Sequence, residues 1–278
     1  MQMGSDAMEL ILQSGLLEWN KQLFVFIALI STVYWLLSGF INERGKAKIQ
    51  YKHRIYFLLG LLVFYVCWGS PLYGFAHLMF SAHMLQMSLL YFLVTPLLFS
   101  GIQIHLFYLP RRFQTMSKVW TALTSPIVSF VLFNGLFIVY HIPKVMDTIM
   151  LNSWLYYSFH ILLAYASFCV WQTIVGRFSI KKLAYQKRKH YIMANTLVLL
   201  PVCLLLFFST LPYRTFTDVT AQFNMFQICF DQNINVSILI GIDMLPTDVD
   251  QKLGGAIMLA LHKMSFLVGE YIQPKITD

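Results

Sequence analysis

The chain has 278 residues, of which 58% are hydrophobic, 16% aromatic and only 12% charged, and its net charge is +8. Soluble domains carry about 25% charged residues because their surface must meet water, so a water-facing globule is excluded. Disordered, collagenous, coiled-coil and disulfide-scaffold classes are excluded on the same numbers. The expected class is all-α and integral to a membrane, read as a single membrane domain over residues 1–278.

In chain order, residues 8–19 read as an interfacial helix. The first twenty residues lack a basic n-region and a small-residue cleavage motif, so no signal peptide is expected. Seven stretches are long enough to cross the hydrocarbon core, at 22–41, 55–74, 78–100, 126–142, 153–175, 190–211 and 251–272. They predict a seven-helix bundle over 22–272, helical because lipid offers the backbone no hydrogen-bonding partner. The fourth stretch is short and ends at Pro143, which leaves His141 at a turn, and the seventh is interrupted by His262 and Lys263. In the long connection 212–250, Phe223, Phe226, Phe230 and Ile234 recur at helical spacing opposite Asn224, Gln227, Asp231 and Asn235. That pattern predicts an amphipathic surface helix rather than an eighth span, which would place strongly polar side chains in lipid. Asp250 suits a helix N-terminus, where exposed N–H groups favour negative charge, and Gly254 and Gly255 permit close helix packing.

Lys and Arg alternate between connections. Five fall in 42–54, three in 101–125 and six in 176–189, against three in the N-terminus and the other connections together. The positive-inside rule then predicts the N-terminus outside and the C-terminus inside, in a multi-pass membrane protein. The net positive charge is thus an orientation signal, and no nucleic-acid partner is expected. Four cysteines, Cys67, Cys169, Cys203 and Cys229, form no Cys-x-x-Cys pair and read as buried unpaired thiols.

On that topology His77, His83, His141 and His160 lie at or just below the outer boundary, whereas His53, His105 and His190 lie near cytoplasmic ends. At a helical rise of about 1.5 Å per residue, His83 and His160 sit roughly 8–10 Å deep. Met79, His83 and Met87 are spaced i, i+4, i+8 and share one helix face, with Met84 and Gln86 beside it. Met258 and His262 repeat the i, i+4 pair in the seventh span, and Met146 and Met150 flank Asp147. Of 14 methionines only Met116, Met193 and Met264 fall in the cytoplasmic half. Imidazole with thioether is the soft ligand set that suits Cu(I). The candidate metal ligands are therefore His83, His141 and His160, with Met79, Met84 and Met87. A methionine stripe is also common packing material, and a lone intramembrane His is often an interhelical contact. No phosphate loop, nucleophile elbow or Ser–His–Asp set is present in the sequence, so no enzyme activity is expected.

The segment FSAHMLQMSLLYFLVTPLLFSG (80–101), the run YHIPKVMD (140–147), His160 with Trp171, and DQKLGGAIM (250–258) occur in that order. Together they resemble the CtaG family of assembly factors for the caa3-type cytochrome c oxidases of Gram-positive bacteria, over roughly residues 20–272. The resemblance implies a plasma-membrane protein that helps build a haem–copper oxidase, with oxidase subunits and lipid as partners and copper as the suspected cargo. Distant members carry a second third-span histidine where this chain has Met87, and a thioether there biases a site toward Cu(I). The alternatives are a metal-free scaffold for oxidase assembly and a haem protein with two of these histidines as axial ligands. A transporter is a further possibility, with intramembrane His and Lys263 lining a path.

Overall fold

The computed structural model describes residues 18–43, 51–102, 125–175, 183–209, 211–230 and 245–272. Twelve α-helices and one π-turn make up its regular structure, with no strand among the described residues. The long helices are α1 (Lys21–Glu43), α2 (Tyr51–Gly69), α6 (Pro126–Tyr140), α8 (Ser153–Val175), α9 (Tyr185–Phe208) and α12 (Thr247–Ile272). The third predicted span is one continuous rod of α4 (Phe80–Leu89), a π-turn (Leu90–Val94) and α5 (Thr95–Gly101). Short helices are α3 (Pro71–Phe75), α7 (Pro143–Met150), α10 (Arg214–Thr217) and α11 (Val219–Phe230).

Each of the seven stretches predicted as spans is mostly helical, although 55–74 is interrupted at Ser70 and the helix in 190–211 ends at Phe208. Four, at Lys21–Phe40, Phe80–Gly101, Ser153–Val175 and Tyr185–Phe208, are long and apolar enough to cross a membrane, and α6 with α7 forms a fifth candidate bent by 87°. The bend has a local cause, because Pro143 opens α7 and His141 and Ile142 leave the helical path. Proline also opens α3 and α6, where Ser70 and Ser125 accept hydrogen bonds from Leu72 N and Val128 N.

Large apolar side chains cover the outside, among them Phe26, Leu29, Leu36, Ile127, Trp154, Ile161 and Phe208. An apolar exterior of that extent suits lipid rather than water. The interior is aromatic, with Phe92, Phe133, Phe137, Trp171 and Phe266 all at most 2% exposed. Gly254 and Gly255 let α12 approach its neighbours as expected. A β-carbon on Gly254 would lie 2.7 Å from Phe80, and one on Gly255 would lie 3.0 Å from the Phe207 backbone nitrogen.

The π-turn follows from Pro96. Thr95 turns both its N–H and its hydroxyl to the Leu90 carbonyl, and Pro96 has no N–H to give. The Tyr91 carbonyl is left for side chains of α8, and it accepts from Ser167 Oγ at 2.7 Å and Trp171 Nε1 at 2.9 Å. This joint pins α8 to the third rod at mid-length.

The connection 212–250 carries the helix α11. On it Ala221 and Met225 are buried, Phe223 is half-buried, and Asn224 is exposed. Among its described side chains the side against the bundle is thus one small residue and one flexible one. Ile234, Asp231 and Asn235 lie outside the described residues, as do residues 8–17 of the 8–19 segment and His105. Cys67, Cys169 and Cys203 are buried free thiols.

Candidate functional site

Four histidines gather at one end of the bundle. His77 follows α3, His83 is on α4, His141 caps α6, and His160 is on α8. They are at most 5% exposed. The rings of His83 and His160 lie 6.5 Å apart, and Tyr140 is 6.0 Å from the first and 5.8 Å from the second. Tyr156 packs edge-on to His160 at 4.3 Å and lies 5.8 Å from His77.

Each imidazole spends one nitrogen on a fixed partner. His141 Nδ1 donates to the Phe137 carbonyl at 2.6 Å, and His77 Nδ1 donates to the Tyr73 carbonyl at 2.7 Å. A carbonyl only accepts, so both rings carry their proton on Nδ1 and leave Nε2 as a lone pair. His160 Nδ1 lies 2.9 Å from the Tyr91 hydroxyl, which itself donates to the His160 carbonyl at 3.4 Å. His83 Nε2 meets the Tyr140 hydroxyl at 2.9 Å. His141 Nε2 and His160 Nε2 have no hydrogen-bond partner among the described residues, and the His83 ring also has the Ala76 backbone beside it. A ligating histidine characteristically has one nitrogen oriented by such a bond and the other presented to a metal.

His83 and His160 are thus brought together, whereas His141 stands one residue from Tyr140 with its ring 4.4 Å from that of Phe137. Among the described residues no three His, Cys, Asp or Glu side chains converge on a single ion. Met84 and Met87 are buried in the same core, and half-buried Met79 is the residue at which α4 begins. Aspartates and tyrosines that spacing alone does not bring here complete the end of the bundle. Asp250, at the start of α12, accepts from Phe80 N at 2.7 Å and Ser81 N at 3.0 Å. It therefore caps α4, whose own leading residue Met79 makes no side-chain cap.

Asp147 holds α10 by accepting from Arg214 N, Thr215 N and the Thr215 hydroxyl, the last at 2.5 Å. Tyr213 donates its hydroxyl to the His141 carbonyl at 2.7 Å and stacks on Phe80 at 4.7 Å. Burial holds the Tyr213 phenol above its ordinary pKa, so the hydroxyl keeps the proton it donates. Phe216 then lies 5.7 Å from the His83 ring. The segment 213–217 is a strap across the end of the bundle beside His83.

The model of the family described as cytochrome c oxidase caa3 assembly factor matches residues 32–270. The chain belongs to that family. No curated protein matches it, and neither does any solved structure. The residues that carry the family resemblance now have physical tasks. Asp250 starts the helix that bears His83, Gln251 donates to the Ser209 carbonyl at the end of α9, Asp147 holds the strap, and Trp171 satisfies the Tyr91 carbonyl. The sequence reading placed the histidines but missed Tyr91 and Tyr140, whose signal is weak because buried tyrosines are common among apolar residues.

Proposed function

We propose that this assembly factor receives Cu(I) at the histidine end of the bundle and passes it to a subunit of a caa3-type oxidase. His83 and His160 are the principal donors, His141 is a neighbouring station, and Met79, Met84 and Met87 assist capture and transfer. The reading rests on one observation, the buried pair His83 and His160, each with one nitrogen oriented by a tyrosine. Two imidazoles on one ion, with metal–nitrogen bonds of about 2.0 Å, have ring centres roughly 6 Å apart, close to the 6.5 Å separation of these rings. Neutral donors on a monovalent soft ion form a site of low charge, and few ligands keep release fast.

The strong excess of Lys and Arg in alternate connections supports seven spans with this end outside, in a bacterial plasma membrane. The protein binds and releases its cargo without transforming it. Haem is disfavoured by Tyr156 and Tyr140, whose rings crowd His160 at 4.3 and 5.8 Å where a porphyrin would have to lie.

The test is a Cu(I) titration of the purified protein against a competing chelator. A fall in the number of ions bound per chain on replacing His83 and His160 with Phe supports the assignment, and unchanged binding in that double variant overturns it.

A further inference from the structure

A second group of soft donors lies deeper, on the seam between the third rod and α12. Its register is fixed at both ends. Gly254 abuts Phe80 and Met84, with the Met84 Cγ 3.0 Å from where a β-carbon would stand. Eight residues further along α12, the His262 ring lies 5.2 Å from that of Phe92. Phe80, Met84, Ser88 and Phe92 recur every fourth residue on one side, and Gly254, Met258 and His262 do so on the other. On that register Ser88 and Met258 both fall between the two contacts. Met84 is 0% exposed, Ser88 2%, Met258 1% and His262 1%.

The polar atoms of this group are unsatisfied. Neither ring nitrogen of His262 has a hydrogen-bond partner among the described residues, and neither does the Ser88 hydroxyl. Buried polar groups are almost always paired, so each unpaired one calls for a ligand or an explanation. His262 is flanked by Phe92 and by Phe266 at 5.1 Å, and aromatic rings offer it no lone pair.

We infer that Met258 and His262, one turn apart on α12, with Ser88 on the facing rod, form a second and internal site for a soft monovalent cation. A thioether and an imidazole are uncharged and soft, a set that selects Cu(I) over the hard divalent ions, which take oxygen ligands. Met84 lies next to His83 in sequence and faces the seam, so it links the end cluster to the internal site. The inference shares with the proposed function only the identity of the cargo. It adds a path, in which an ion taken up at the end of the bundle advances between the rod and α12 and is held within the hydrocarbon layer. An oxidase subunit docked alongside would there receive it without exposing it to water.

Two sets of replacements separate the readings. The full-length protein in lipid nanodiscs is titrated with Cu(I) under a competing chelator, and the number of ions bound per chain is read. Two ions are expected for the unsubstituted protein. One is expected for the pair Met258→Leu and His262→Phe, and one for His83→Phe with His160→Phe. The ion retained by the latter variant should show sulfur neighbours in its X-ray absorption spectrum. Two ions still bound after Met258→Leu and His262→Phe overturn the internal site, as does a single ion lost entirely with His83 and His160. A single ion lost only with Met258 and His262 overturns the end site and supports the internal one. If the replacements prevent folding, the spectrum of the unsubstituted protein decides, since a nitrogen-only environment at full loading overturns the inference.

Discussion

Replacing Asp250 tests whether the histidine-bearing rod depends on a cap borrowed from another helix. Its carboxylate accepts two backbone N–H groups from the first turn of α4, at 2.7 and 3.0 Å, and is 8% exposed. A hydrogen bond to a charged group contributes about 1.5–3 kcal/mol, and loss of an ordinary cap costs about 1 kcal/mol. Two such bonds sharing one desolvation cost give about 3–4 kcal/mol for Asp250→Ala, with roughly half for Asp250→Asn, which keeps one acceptor oxygen. At about 2 °C per kcal/mol for a chain of this size, the alanine variant should melt roughly 6–8 °C lower. Tryptophan fluorescence in detergent follows the transition. His83 lies in the first turns of that helix, so Cu(I) affinity should fall alongside stability. A melting change below about 1 °C for Asp250→Ala refutes the borrowed cap, and an asparagine variant as damaged as the alanine refutes the acceptor count.

At the π-turn, Trp171→Phe should cost about 1 kcal/mol, because Ser167 still donates to the Tyr91 carbonyl. Combined with Ser167→Ala the loss should exceed the sum of the singles, since the carbonyl is then buried with no side-chain donor, and additive melting shifts refute this. Asp147→Ala should free the strap, with the Arg214 and Thr215 amides exchanging hydrogen roughly 30-fold faster for about 2 kcal/mol lost. Unchanged exchange at both amides shows that the strap is held otherwise. The hydrogen bond from Arg214 Nε, then those from Thr220 N and Ala221 N, hold the Asp218 carboxyl below the usual carboxylate range. A depressed folded pKa means the stabilisation is present above the unfolded value and is lost as pH falls through the folded one. Exchange at Thr220 and Ala221 should therefore accelerate only below about pH 4, and Asp218→Asn should remove that acid step.

The helices were legible because apolar length is a property of consecutive residues, as Ser153–Val175 shows by matching its predicted bounds. Which side of a helix is buried is a weaker signal in a membrane chain, since lipid-facing and core-facing residues are both apolar. On α11, for example, Ala221 and Met225 are the residues buried against protein while Phe223 is half-buried. The histidines stood out because an imidazole among apolar residues is costly wherever it lies. Their pairing could not be read, since it depends on how α4 and α8 are rotated against each other. That rotation is set by Pro96, which frees the Tyr91 carbonyl for Ser167 and Trp171. The same residue that receives those bonds through its carbonyl presents its hydroxyl to His160. A proline five residues along the rod thus orients a histidine on another helix, a link that becomes visible only when every backbone hydrogen bond in the rod is accounted for.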